Sequence, residues 1–430
     1  GDGVGTWAVL LPPGSTSQDV EASLAHMPPG AKVQFQGEPS EGGLSMVAVK
    51  SSKDAVLAAL SAKPLPEDYT LETCIDWSLA PEIAAAPVND TQPWLQPVAT
   101  GEVQTGMLSW GLDRADQHLG LDGLYTTPTR LVGKGVHIYV LNTGIRTTHV
   151  DFEGRAVPTL ESLGEGVKEC AEEDTTCAED LNGRGTRAAG TAGGRNFGVA
   201  KAVSLHAVKA FDDQANGNVW WTLAAINWVM INGKSPAIIT MSPNSRVNLL
   251  SLAAAIEAAI AAGTTVVVPA GDRGESHEPL ACSYSPENVP TAIVAGATDP
   301  PGPLGRDARA SYSNVGACVD IFAPGSDIPS AGYLSDTAVS MASGTTVAAS
   351  HIAGAAALLL EEDPGNTPKQ LKKLLLSRST YNILMAVGKG SPNIFLHTVP
   401  GTLDMAPYIN DAMVTIHNDS EVDKTGRSMW

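Results

Sequence analysis

Apolar and polar positions along this chain change period several times, and each change marks an element. Over residues 5 to 75, TWAVLLPP alternates as a strand and Ser17 to Met27 carries a helical period. KVQFQG and LSMVAVK read as further strands, and KDAVLAALSA as a second helix. This order predicts a small α+β unit. Further along, the apolar runs HIYVLN, SLHAVKAF, AIITMS, TVVVPAG and AIVAGA alternate with the helical stretches VWWTLAAINWVMI and LLSLAAAIEAAIAAG. Continuously apolar strands separated by helices predict a parallel sheet covered on both faces, an α/β fold. Between the two regions, LAPEIAAAPVNDTQPWLQPVATGE is rich in Pro and Ala and reads as an extended, exposed linker.

With 430 residues, 43% of them hydrophobic, the chain is long enough to bury a large core in two or three domains. A formal net charge of -19 argues against nucleic acid and anionic membrane surfaces as partners. No run of about twenty apolar residues occurs. The best candidate, 251 to 270, is broken by Glu257 and Gly263, so no membrane span is expected. The chain opens without a basic start and an apolar core, so any secretion signal is expected to have been removed already. Asn89-Asp-Thr91 and Asn418-Asp-Ser420 are glycosylation sequons that agree with secretion.

Three segments carry the chemistry: GVHIYVLNTGIRTTHVDFEGRA (135 to 156), DLNGRGTRAAGTAGG (180 to 194) and SGTTVAASHIAGAAALLL (343 to 360). In this order they resemble the subtilisin-like serine proteases, most closely the proteinase K branch. The resemblance implies a subtilisin-like domain over 109–397. It is preceded by an inhibitor-like propeptide unit (1–75) and a linker (76–108), and followed by a tail (398–430) of unread fold. In that family the three segments carry the catalytic Asp in D-T-G, the His in G-H-G-T-H and the Ser in G-T-S-M-A. Here those places hold Asn142, Arg184 and Thr346. TTVVVPAGDRGE (264 to 275) is similar to the strand that ends in the oxyanion Asn, and it places Asp272 there.

An Arg stays protonated and cannot take a hydroxyl proton. An Asn keeps the shape of the orienting carboxylate without its charge, a loss of about four orders of magnitude in turnover. An anionic Asp272 at the oxyanion position repels developing negative charge instead of donating to it. These four residues imply an inactive homologue, a pseudoprotease. Arg184 and Asp272 are expected to meet in an ion pair over Thr346. The groove edges read NGNVWW (216 to 221) and MSPNSR (241 to 246), where Pro243 removes a donor. Trp220 and Trp221 either plug side-chain pockets or form the start of a helix core. Substrate binding is therefore expected to be lost as well.

The resemblance also implies a disulfide between Cys282 and Cys318, and Cys170 with Cys177 is placed to close a short loop. Paired cysteines point to an oxidising, extracellular compartment. Cys74 remains, as a buried thiol or an intermolecular bridge. Between Glu161 and Asp180 stand eight acidic residues and one Lys, read as a solvated loop. VDIFAPG is similar to a family segment that supplies a carboxylate to calcium. Asp320 is thus the candidate metal ligand, with carbonyls from near Pro290 and Ala292, or else a structural Asp. The reading that results is a secreted, non-catalytic component of an extracellular assembly whose partners are other extracellular proteins. Its alternatives are an active secreted subtilisin-like endopeptidase working through Thr346, and a decoy or chaperone that binds other proteases.

Overall fold

The computed structural model describes residues 4–25, 27–61, 69–79, 83–84, 104–105, 109–126, 131–164, 166–242, 247–274, 280–302 and 305–399. Asn89, Asn418, Pro243 and the tail beyond 399 lie outside the described residues. The apolar runs of the second region form the predicted sheet. Its parallel strands stand in the order Ala156–Glu161, Ser204–Lys209, His137–Asn142, Ala237–Met241, Thr265–Pro269, Ile293–Asp299, Ile321–Pro324 and Ile394–Phe395.

Strands of this kind bury both faces, and alternate residues sort accordingly. Tyr139, Leu141, Val266 and Val268 pack under the helices Val219–Asn232 and Leu250–Ala261. Ile138, Val140, Ile238 and Val267 face the opposite layer, with Arg184–Gly193, Thr345–Glu362 and Pro368–Arg378. The chain moves first to one side of His137–Asn142 and then returns to the other, so strand order reverses at this strand. A crevice opens at the carboxyl end of such a switch point, and Asn142 is the last residue of the strand.

The amino-terminal region is the α+β unit the pattern predicts. Its antiparallel sheet runs Lys32–Gln36, Met46–Ser52, Val4–Leu10, Thr70–Cys74. The helix Ser17–Leu24 starts at Thr16, whose hydroxyl accepts from Asp19 N while the Asp19 carboxylate accepts from Thr16 N, a reciprocal cap. With Lys53–Ser61 it covers one face of the sheet, where Val9, Val20, Val47 and Val56 are buried. The other face, through Ala8, Phe35, Leu44 and Met46, joins the core under Val219–Asn232. Two polar contacts fix this docking. Leu44 N donates to Asn227 Oδ1 at 2.7 Å. Glu72 accepts from Leu250 N at 2.7 Å, from Ser251 N at 2.9 Å and from the Ser251 hydroxyl. Leu249 offers no side-chain cap, so a carboxylate from the amino-terminal unit satisfies the first amides of the helix Leu250–Ala261.

Both cysteine pairs are bonded, Cys170 to Cys177 and Cys282 to Cys318. Cys74 is a free buried thiol, and burial pushes its pKa up to about 12.

Candidate active site

Asn142 is buried at the strand end. Its Oδ1 accepts from Thr143 N at 2.8 Å, and its Nδ2 donates to Ser242 Oγ at 2.5 Å. The turn beyond it is held by a residue that the pattern assigned to a solvated acidic loop. Asp180 is fully buried. Its Oδ1 accepts from Thr143 Oγ1 at 2.8 Å and Gly183 N at 2.8 Å, and its Oδ2 from Thr186 N at 2.8 Å and Thr186 Oγ1 at 2.6 Å. One carboxylate thus ties the end of the central strand to the start of the helix Arg184–Gly193. Only a buried acid flanked by amides does this, and a count of charges along the chain does not separate it from its exposed neighbours. The approach is close: a Cβ on Gly185 would stand 1.8 Å from Gly144 O. Arg184 is the first residue of this helix.

Across the crevice, Gly344 precedes the helix Thr345–Glu362, and Asp272 follows the strand Thr265–Pro269. Asp272 Oδ1 accepts from Thr345 N at 2.8 Å, and Gly271 N donates to Thr345 Oγ1 at 3.1 Å. A Cβ built on Gly344 would lie 3.3 Å from Asp272 Oδ2 and 3.3 Å from Thr346 Oγ1, so both atoms face one small space. Thr346 Oγ1 is buried and has no hydrogen-bond partner. The structure therefore brings Asp272 and Thr346 together. One oxygen of the Asp272 carboxylate is bound to the backbone amide of Thr345, and Arg184 starts the helix Arg184–Gly193.

Two imidazoles of the motif segments, His149 and His351, are held by structural contacts. His351 is fully buried and its Nδ1 lies 3.1 Å from Val347 O, with burial lowering its pKa to about 4. His149 accepts from Asp151 N at 3.1 Å and holds Ala338 O at 2.8 Å.

The groove corrects a second expectation. Residues Asp76–Ser78, the first of the expected linker 76–108, pair antiparallel with Asn216–Asn218, Trp77 opposite Gly217. Leu79 N donates to Ala215 O at 2.9 Å and Val219 N to Ile75 O at 3.1 Å. The Trp77 ring lies 5.9 Å from Phe211, and Trp77 and Leu79 are buried. Gly217 is required here, since a Cβ would come within 2.8 Å of the Phe211 ring. Four residues on from Leu79, Ile83–Ala84 pairs with Ser343 and Ala342, immediately before Gly344. The chain's own residues Asp76–Ser78 and Ile83–Ala84 are thus added as strands, the second against an edge that ends three residues before Thr346. The edge Asn216–Asn218 keeps its capacity to bind extended peptide. Trp220 does not plug it, being 4% exposed within the helix core.

Asp320 was expected to face calcium. Instead its Oδ1 holds Lys372 Nζ at 2.8 Å, and the same ammonium donates to Pro290 O at 2.9 Å and Ala292 O at 2.7 Å. A cationic side chain already centred on these three oxygens does not fit a second cation, and calcium–oxygen contacts run about 2.3 to 2.6 Å. Among the described residues, no group of three or more His, Cys, Asp or Glu is placed to hold a metal ion. No described helix is long and apolar enough to cross a membrane.

Residues 133–396 match the Subtilase family of peptidases. The chain is 43% identical over 291 residues to an extracellular serine proteinase of Thermus sp. (strain Rt41A), covering 67% of this chain and 66% of that protein. It is 35% identical over 306 residues to alkaline serine exoprotease A of Vibrio alginolyticus, covering 71% and 53%. Subtilisin-like protease 1 of Pseudogymnoascus destructans is 34% identical over 340 residues, covering 77% and 78%. The chain therefore spans less than two thirds of the length of the first two relatives. The crystal structure of a cold adapted subtilisin-like serine proteinase superposes with a TM-score of 0.61 at 36% identity, over 68% of this chain and 98% of that one. These findings overturn the expectation of a non-enzyme serving as a structural or binding component, since the relatives are named as proteinases across the region that carries Asn142, Arg184, Asp272 and Thr346.

Proposed function

This chain belongs to the subtilase family, and on that premise we propose that it is a secreted endopeptidase of the proteinase K branch that cleaves extended polypeptide by acyl transfer through the Thr346 hydroxyl. The observation that carries this reading is strand addition against Asn216–Asn218 and against Ala342–Ser343, the latter ending three residues before Thr346. An extended peptide bound this way presents a carbonyl at the start of the helix Thr345–Glu362. The two bonded cysteine pairs support an oxidising compartment, and one relative is named as extracellular.

The chemistry follows from the groups present. Where the proteinase K branch carries Asp, His and Ser, this chain carries Asn142, Arg184 and Thr346. The carboxylate that shares a space with the hydroxyl is Asp272, and it takes the proton as Thr346 Oγ1 adds to the substrate carbonyl. The oxyanion then develops at the amino-terminal end of an 18-residue helix, whose dipole favours negative charge. The proton returns to the leaving amine, and water hydrolyses the acyl-threonine ester. Without an imidazole base oriented by a carboxylate, turnover is slow, at least about four orders of magnitude below a complete triad.

The test is hydrolysis of a quenched fluorescent casein by the full chain, compared with Thr346→Ala and Asp272→Asn. The expected result is slow hydrolysis that Thr346→Ala abolishes and Asp272→Asn weakens strongly. Rates that do not differ between the unmodified chain and Thr346→Ala overturn the reading.

A further inference from the structure

The ammonium of Lys372 sits where three oxygens from separate parts of the fold converge. Asp320 lies just before the strand Ile321–Pro324, and Pro290 and Ala292 lead into the strand Ile293–Asp299. Lys372 belongs to the helix Pro368–Arg378, which packs against the sheet from outside. The contacts are 2.8, 2.9 and 2.7 Å, one for each N–H of the ammonium. The second carboxylate oxygen of Asp320 accepts from Val294 N at 2.8 Å, so the cradle is fixed to the neighbouring strand as well. Both side chains of the pair are largely covered, at 18% and 19% exposure. Two carbonyls and a carboxylate turned toward one point form a site for a hard cation. Left empty, it would gather three oxygen dipoles and a negative charge without compensation.

We propose that Lys372 is a tethered internal cation that takes the place of a bound divalent metal ion, so that this junction of helix and sheet needs no calcium. The side chain supplies the charge at fixed stoichiometry, whatever the metal concentration outside. Removing the ammonium while keeping the three oxygens should uncover a calcium site that the unmodified chain lacks.

The experiment is calorimetric titration of the full chain with calcium chloride, together with melting temperatures in chelator and in calcium. Lys372→Ala, which leaves room for water ligands, is expected to bind one calcium ion more per chain than the unmodified protein. Its melting temperature should fall in chelator and recover with calcium. Asp320→Asn with Lys372 intact is expected to lower the melting temperature and leave the number of calcium ions bound unchanged. Equal calcium stoichiometry in Lys372→Ala and the unmodified chain overturns the proposal, and so does loss of one calcium ion in Asp320→Asn. The second variant decides the matter if Lys372→Ala does not fold. Activity enters neither readout, so the outcome is independent of whether the chain hydrolyses peptides.

Discussion

Trp77→Ala should release the strand Asp76–Ser78 from the edge Asn216–Asn218. Its indole packs against Phe211 at 5.9 Å and is 9% exposed, the apolar anchor of a short strand also held by backbone bonds to Ala215 and Val219 and by Asn218 Nδ2 donating to Asp76 Oδ1. Truncating a buried aromatic to Ala costs about 3 to 5 kcal/mol in a core. A strand at the rim of a groove relaxes more easily, so we take the lower end, about 3 kcal/mol. Since each 1.4 kcal/mol is a factor of ten, the open state should become about a hundred times more populated. Hydrogen exchange of the Leu79 and Val219 amides reads this opening directly, because these two N–H groups are the ladder bonds at either end of Asp76–Ser78. Both should exchange about a hundredfold faster at pH 7, while amides of Thr265–Pro269 keep their protection. Hydrolysis of an added peptide should rise by a similar factor, because the competitor for the groove is part of the same chain. Unchanged exchange at Leu79 would refute the reasoning. Equally accelerated exchange in the central sheet would show that Trp77 supports the whole fold and not the strap.

Three further outcomes can be checked. Asp116 is buried with Oδ1 unpartnered, and burial raises its pKa to about 7. The unfolded chain therefore ionises first, and stability drains away as pH rises from about 4 to about 7, by at most about 4 kcal/mol. Asp116→Asn should lack this decline, so its gain over the parent in urea denaturation should grow with pH across that window; a pH-independent difference would contradict it. The Cys282–Cys318 bond spans 36 residues and Cys170–Cys177 spans 7, so in the chain-entropy account double Ser variants should lose about 4 and about 2 kcal/mol respectively; equal losses would argue against that account. Glu72→Ala should uncap Leu250–Ala261 and weaken docking of the amino-terminal unit by about 1 to 2 kcal/mol, read as faster exchange at Leu250 and Ser251.

The layered fold was legible because both faces of each strand are buried, so that runs such as TVVVP leave no other reading. The order of elements in the amino-terminal unit was legible from strand alternation and helical period. What escaped were contacts between segments far apart in the chain. Asp180 looks like any other residue of an acidic stretch until Thr143 and Thr186 close around it. Lys372 carries no mark of a metal site in PKQLKKLLLSR, since its meaning depends on carbonyls 80 and 82 residues away. Residues 76–78 fall at the start of the expected linker, and only the facing edge Asn216–Asn218 shows them to be a strand. The expectation of an inert groove failed, because strand addition uses backbone groups that side-chain identity does not report.

The position of Asp272 shows how the site is assembled around what it contains. Oδ1 is bound to the Thr345 amide, at the positive end of a long helix, and Oδ2 faces the space it shares with Thr346. A carboxylate fixed through one oxygen and facing a nucleophile with the other is arranged as a base is arranged, although it lacks the basicity of an imidazole. Asp272→Asn separates two roles for this residue. As an anchor for Thr345, the variant keeps an acceptor in Oδ1 and the melting temperature should change little. As a proton acceptor, it loses the charge and hydrolysis should fall by about 10² or more. A loss of stability that accounts for the whole loss of rate would reduce Asp272 to a helix cap.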